Sequence, residues 1–245
     1  MRSVVIIPAR MASNRLPGKP LADIAGAPMI VHVWRRAVQA GVGPVVVAAG
    51  SQEIVEVVEA AGGRAVLTPP DLPSGSDRVF FALQSIDPNQ DFGYVFNVQG
   101  DLPNLNPADL RVLEAGLGRK GAEIVTLAAE ITDSSEAADP NVVKAVIAFD
   151  GDDDTSRTGR ALYFTRARAP AGEGPLYHHI GLYGFERSAL TRFVKLPPSR
   201  LELREKLEQL RALEAGMRID VTLVDSIPLG VDTPADLATA RRLIE

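Results

Sequence analysis

Val4-Val5-Ile6-Ile7-Pro8-Ala9-Arg10-Met11-Ala12-Ser13-Asn14-Arg15-Leu16-Pro17-Gly18-Lys19-Pro20-Leu21 carries an apolar run straight into a basic loop. The first four residues are β-branched and apolar at every position, the pattern of a strand covered on both faces in a parallel sheet. The loop behind it gathers Arg10, Arg15 and Lys19 around Gly18 and several prolines. Proline fixes the backbone, and glycine lets it approach a ligand closely. Two guanidinium groups and an ammonium offer charge-assisted hydrogen bonds to a polyanion, so the stretch suits phosphate. The plainer alternative is a basic surface loop built from ordinary turn residues.

Outward from this stretch, strands and helices alternate. Apolar runs predict strands over 4–7, 45–48, 65–67 and 94–98, and helical patterns cover 29–40, 52–61 and 76–85. Asn106 and Pro107 look like the cap and first residue of a helix reaching about residue 117. Such alternation implies an α/β fold: a mostly parallel open sheet with helices on both faces. From residue 124 the pattern changes to antiparallel strands over 124–128, 142–149, 161–165 and 181–185, with a helix starting near Glu186. A helix over 201–215, a strand over 219–224 and a helix over 234–244 follow. Residues 1–128 with 217–245 are therefore read as a nucleotide-binding core, and 129–216 as a smaller antiparallel and helical insertion. The exposed strands of that insertion are a plausible dimer surface.

Composition narrows the chemistry. The chain has 245 residues, 46% of them hydrophobic and 23% charged, enough for one large α/β domain with an appendage. A net charge of −5 argues against nucleic acid as a main partner, so any polyanion must be held by a local cluster of positive charge. The absence of cysteine excludes disulfides, thiolate chemistry and cysteine-ligated metal, and fits a reducing cytosol. No segment reaches the roughly 20 apolar residues of a membrane span, and no signal peptide is evident. A cytoplasmic, soluble protein is expected.

The basic loop is not a Walker motif, since proline follows Gly18-Lys19 where serine or threonine belongs. No G-x-G-x-x-G follows a strand, which argues against nicotinamide-dependent dehydrogenases. Asn97-Val98-Gln99-Gly100-Asp101 falls where the fourth strand should end, so Asp101 would enter the same cleft as the loop. A carboxylate facing a triphosphate points to a divalent cation, typically magnesium, between them; otherwise Asp101 is a turn residue. In Gly230-Val231-Asp232-Thr233-Pro234, Asp232 or Thr233 reads first as a helix cap and only second as a ligand. Ser74-Gly75-Ser76-Asp77-Arg78 either presents amides and hydroxyls to a ligand or caps a helix through Ser74 or Ser76. Glu205, Glu208 and Gln209 fall opposite a stripe of Leu203, Leu207, Leu210 and Leu213, normally a solvated face. His178-His179 reads as structural, and the acidic run 150–154 as a hairpin tip rather than a calcium loop.

Taken in order, these segments resemble the 3-deoxy-manno-octulosonate cytidylyltransferase family (CMP-Kdo synthetase). The likeness runs from Ile7-Pro8-Ala9-Arg10 through Gly18-Lys19-Pro20-Leu21, Pro28-Met29-Ile30-Val31-His32-Val33, Ser74-Gly75-Ser76-Asp77-Arg78 and Asn97-Val98-Gln99-Gly100-Asp101. It continues through Ala161-Leu162-Tyr163-Phe164-Thr165-Arg166, His179-Ile180-Gly181-Leu182-Tyr183-Gly184, Glu205-Lys206-Leu207-Glu208-Gln209-Leu210-Arg211 and Gly230-Val231-Asp232-Thr233-Pro234. The resemblance implies a nucleotide-diphospho-sugar transferase fold, a homodimer, and conversion of CTP and Kdo to CMP-Kdo and pyrophosphate for lipopolysaccharide synthesis. It implies that Ala9, Arg10, Arg15, Lys19, Ser74, Gly75, Arg78 and Gln99 hold CTP, with Arg10, Lys19 and Asp101 catalytic. By the same likeness Asp101 and Asp232 bind Mg²⁺, while Gln99, Arg166, His179, Tyr183, Glu205, Glu208 and Gln209 line the sugar site. Two departures stand out. Ala49-Gly50-Ser51 replaces an acidic segment common among relatives, and Leu102 stands where many have glutamate. The nearest competing assignment is cytidylyl transfer to 8-amino-Kdo or sialic acid; a nucleotide-binding protein without turnover is the alternative from another class.

Overall fold

The computed structural model describes residues 1–13, 15–119, 121–151 and 156–244. Most of the acidic run 150–154, and Asn14 of the basic loop, lie outside the described residues. The chain folds into two compact units, Met1–Arg111 with Pro228–Glu245, and Val112–Ile227.

The first unit begins with β1 (Arg2–Ala9), a short 3₁₀ turn at Lys19–Leu21, and the small hairpin β2 (Asp23–Ile24) and β3 (Ala27–Pro28). Helix α1 (Met29–Ala40), β4 (Val45–Ala49), α2 (Gln52–Ala60), β5 (Arg64–Leu67), α3 (Gly75–Ile86) and β6 (Phe92–Asn97) follow. Helix α4 (Pro107–Leu117) then carries the chain across the division at Arg111. The strands lie in the order β5-β4-β1-β6 and every pairing is parallel. Val4, Val5, Ile6 and Ile7 are wholly buried, as a strand with neighbours on both sides and cover on both faces requires. Because the strands run the same way, the loops after β1, β4 and β6 gather at one end of the sheet.

The second unit contains β7 (Ile124–Glu130), α5 (Ser134–Ala138), β8 (Lys144–Phe149), β9 (Thr158–Thr165) and β10 (Tyr177–Glu186). It continues with α6 (Arg187–Phe193), α7 (Arg200–Glu205), α8 (Leu210–Glu214) and β11 (Ile219–Leu223). Its strands lie in the order β10-β7-β11-β9-β8, all antiparallel except β7 with β11, and one further pair joins His178 to Lys144. The pattern of strands and helices in the sequence places the division of the chain at 128 and 217. The compact units divide instead at Arg111 and Pro228, because β7 and β11 pair with each other and with strands of the insertion.

The single helix expected over 201–215 is two short helices, α7 and α8. Lys206 adopts a left-handed backbone (φ +56°), and the Leu207 amide closes the turn on the Glu202 carbonyl. A left-handed conformation costs an L-residue roughly 1–2 kcal/mol, so tertiary contacts must hold it. Arg211 supplies them, with Nε and Nη2 gripping the Glu202 carboxylate at 2.8 and 2.5 Å while its guanidinium lies over Phe193. The expected leucine stripe breaks with the helix: Leu207 and Leu210 are buried, but Leu203 is 66% exposed.

Helix α9 (Pro234–Ile244) returns the chain to the first unit. Leu237 and Ala240 pack with Ile24, Met29 and Val231, and Leu16 of the basic loop lies against the same cluster. This packing brings the loop and the 230–233 segment together.

Candidate active site

The basic loop is shaped by its own backbone. Gly18 takes φ +69°, which a side chain would resist, and its amide donates to the Met11 carbonyl at 3.3 Å. The following 3₁₀ turn presents Lys19, whose Nζ donates to Asp101 Oδ2 at 2.8 Å and Asp232 Oδ1 at 3.0 Å. Arg15 Nη2 lies 2.8 Å from the other oxygen of Asp232. Burial disfavours the charge on Lys19, but Asp101 and then Asp232 outweigh it and hold its pKa above the usual lysine value.

Asp101 reaches this position because β6 exits beside β1. A Cβ on Gly100 would meet the Pro8 carbonyl at 2.8 Å, so only glycine fits that approach. The Val231 amide donates to the Asp101 carbonyl at 3.0 Å and aligns the second carboxylate. Whether Asp232 or Thr233 caps the last helix is settled by Asp236. Thr233 Oγ1 accepts from the Asp236 amide, and Asp236 Oδ2 accepts from the amides of Asp232 and Thr233. Thr233 is the cap, leaving the Asp232 side chain to the basic loop.

These groups line a cavity of about 540 Å³. Ala9, Arg10, Arg15, Lys19, Ser74, Gly75, Arg78, Gln99, Asp101 and Asp232 all border it, joined by Pro8, Ala12, Ser13, Pro20 and Gly100 of the same quoted segments, to which the sequence assigns no ligand role. Ser74 caps α3, accepting from the Asp77 amide at 3.1 Å, and also borders the cavity. Arg78 is 2% exposed and donates to Thr68 Oγ1 and to the carbonyls of Pro69 and Pro70. Burial, and then the nearby Arg10, lower its pKa. Part of its role is to brace the loop after β5.

The two carboxylates suit a hard divalent cation. Both already converge on one cationic nitrogen, and magnesium is commonly held by one or two carboxylates with phosphate oxygens and water. No group of three or more histidine, cysteine or acidic side chains able to hold a metal occurs among the described residues. Leu102 is buried and adds no carboxylate; Gly50 lies against Arg10 and Arg78, where a Cβ would meet Arg78 Nη1 at 3.0 Å.

The remaining sequence-predicted residues belong to the second unit. Glu205 accepts from Thr165 Oγ1 at 2.9 Å and the Arg166 amide at 3.0 Å, while Arg166 Nε donates to the Glu205 carbonyl at 2.9 Å. His179 lies 4.7 Å from the Phe164 ring and 5.6 Å from Tyr183, centroid to centroid, with Nε2 3.0 Å from Thr126 Oγ1. Thr126 can give its proton to the Leu182 carbonyl at 2.8 Å, which makes His179 Nε2 the donor between them. Burial and then Glu208 raise the Tyr183 pKa well above its usual value. Glu208 and buried Gln209 sit in the turn after Lys206, not on a helix face, so the solvated-face reading is replaced. Residues that sequence reasoning missed are Thr126, Thr68 and Lys144. Only Lys144 carried a signal, a lone charge inside the apolar run 142–149.

Burial pushes the His179 pKa down to about 3. Because the folded value lies below the unfolded one of about 6.5, the unfolded chain takes up the proton first as pH falls. The neutral ring's contribution is complete above that pH and is lost on acidification, at about 2 kcal/mol between pH 7 and pH 5. Urea unfolding at both values should show wild type losing more stability than His179→Gln; equal losses would refute the assignment.

Comparison with known proteins gives consistent results. The family model described as cytidylyltransferase matches residues 4–219. A 3-deoxy-manno-octulosonate cytidylyltransferase of Parvibaculum lavamentivorans is 66% identical over 97% of this chain and 91% of its own length. Another, from Paramagnetospirillum magneticum, is 59% identical over 99% and 97%. Among solved structures, a CMP:2-keto-3-deoxy-manno-octonic acid synthetase complexed with CTP matches with TM-score 0.90 and 38% identity, covering 99% of this chain and 98% of that one. A nucleotidyl transferase from Methanothermobacter shares the fold at TM-score 0.63 and 15% identity.

Proposed function

Because the chain belongs to the 3-deoxy-manno-octulosonate cytidylyltransferase family, we propose that it activates Kdo with CTP, yielding CMP-Kdo and pyrophosphate. The observation that carries this reading is one cavity lined by Arg10, Arg15, Lys19 and two convergent carboxylates. Three cations match a triphosphate, and the carboxylates match the divalent cation that accompanies it.

In this reading Arg10, Arg15 and Lys19 hold the triphosphate and fix the α-phosphorus for in-line attack. The anomeric hydroxyl oxygen of Kdo forms the new bond to the α-phosphorus and gives its proton to water, while the bond from the α-phosphorus to the bridging oxygen breaks and pyrophosphate leaves. Lys19 meets the charge that develops on the phosphate oxygens. Asp101 and Asp232 would hold Mg²⁺, which when bound neutralises phosphate charge and acidifies the attacking hydroxyl. Ala9, Ser74, Gly75, Arg78 and Gln99 would contact the nucleotide. Arg166, His179, Tyr183, Glu205, Glu208 and Gln209, with Gln99, would bind the sugar acid; His179 is neutral with its one proton on Nε2 given to Thr126, so it would offer Nδ1 as an acceptor and does not serve as an acid.

The same reading makes the protein a cytoplasmic homodimer that feeds lipopolysaccharide assembly, with 129–216 contributing sugar binding and dimerisation. No helix among the described residues is long and apolar enough to cross a membrane. The test is pyrophosphate release with CTP, magnesium and each of Kdo, 8-amino-Kdo and sialic acid, with UTP and ATP as controls. Release with Kdo and CTP is expected. Release confined to another acid would reassign the substrate, and release with none would make this a binding protein. Light scattering should give twice the chain mass; a monomer would contradict the dimer.

A further inference from the structure

Lys144 is the first residue of β8 and is wholly buried. Its Nζ donates to the carbonyls of Asp139 and Val142, each at 2.7 Å, and to the Arg166 carbonyl at 3.1 Å. Three acceptors use all three protons of an ammonium, whereas a neutral amine has only two. Burial lowers the pKa of this lysine, and the Asp139 charge partly offsets that. A buried cation held by backbone carbonyls fixes the chain segments that supply them.

Those segments surround Arg166. The Arg166 amide and Nε bond to Glu205, Nη1 donates to the Pro140 carbonyl at 2.9 Å, and Lys144 grips the Arg166 carbonyl itself. Nη2 is the part of the guanidinium with no partner among the described residues. Lys144 is also paired opposite Thr165, next to Arg166, and opposite His178, next to His179. The proposed reaction has no direct use for a side chain so enclosed.

We infer that Lys144 is a positioning residue for the sugar acid: it fixes the backbone at Arg166 so that Nη2 stays available to a substrate carboxylate. The inference rests on the assignment of Arg166 to the sugar site. It predicts an effect confined to one substrate and transmitted through one residue.

The test compares KM for Kdo and for CTP in wild type, Lys144→Met, Lys144→Gln, Arg166→Ala and the Lys144→Met, Arg166→Ala double variant. Lys144→Met should raise KM for Kdo about tenfold and leave KM for CTP within about twofold. On the Arg166→Ala background the same change should add less than about twofold, because the interaction it supports is already gone. Lys144→Gln keeps two donors, should fall between, and supplies the measurement if the methionine variant does not fold. Equal rises in both KM values, effects that multiply in the double variant, an unchanged KM for Kdo, or failure of both variants to fold would each reduce Lys144 to a structural staple. A wild type that releases no pyrophosphate with Kdo would instead refute the functional reading.

Discussion

Asp101→Asn should lower kcat about a thousandfold while leaving the fold intact. The asparagine has the same shape and leaves Lys19 paired with Asp232 at 3.0 Å, so the loop keeps an anchor. What disappears is a carboxylate charge in a half-buried position between the basic loop and the end of β6. If the two carboxylates hold a divalent cation as proposed, it would lose its better-enclosed ligand: the Asp101 side chain is 28% exposed against 45% for Asp232. Asp232→Asn should therefore cost less than Asp101→Asn, and both should raise the magnesium concentration for half-maximal rate. Steady-state pyrophosphate release across a magnesium titration, with thermal unfolding as control, makes the comparison. A folded Asp101→Asn enzyme with near-normal kcat would remove Asp101 from the reaction.

Lys19→Ala should lower kcat about a hundredfold or more and change KM for CTP by less than about threefold. The reason lies in the ion pairs. Lys19 already holds two carboxylates in the free protein, at 2.8 and 3.0 Å, so a bound phosphate must exchange for them. The exchange offsets much of the gain in the ground state. Charge building on the phosphate oxygens during transfer has no such prior partner, and there the ammonium acts in full. A large rise in KM with little change in kcat would show that Lys19 serves binding alone.

Legibility followed how local each determinant was. The first unit was readable because its signals lie within each element: the unbroken run Val4-Val5-Ile6-Ile7 for β1, and Asn106-Pro107 for the start of α4. The break at Lys206 was not. Leucines at 203, 207, 210 and 213 fit one helix, no glycine or proline interrupts them, and the left-handed turn depends on Arg211 gripping Glu202 and Arg166 gripping Glu205. The basic loop could be recognised from composition, but not which residue of Asp232-Thr233 faced it. Asp236, three residues beyond Thr233, was the readable sign of a capping box. Arg166 and Glu205 were reached through family resemblance, and the reason they meet lies in contacts between β9 and the end of α7.

The most direct test of nucleotidyl transfer follows label from CTP. With magnesium and Kdo, CTP labelled at the α-phosphorus should place its label in the sugar adduct, and CTP labelled at the γ-phosphorus should place its label in pyrophosphate, one for one. Label from the γ-position on the sugar, or released as inorganic phosphate without pyrophosphatase present, would contradict the account.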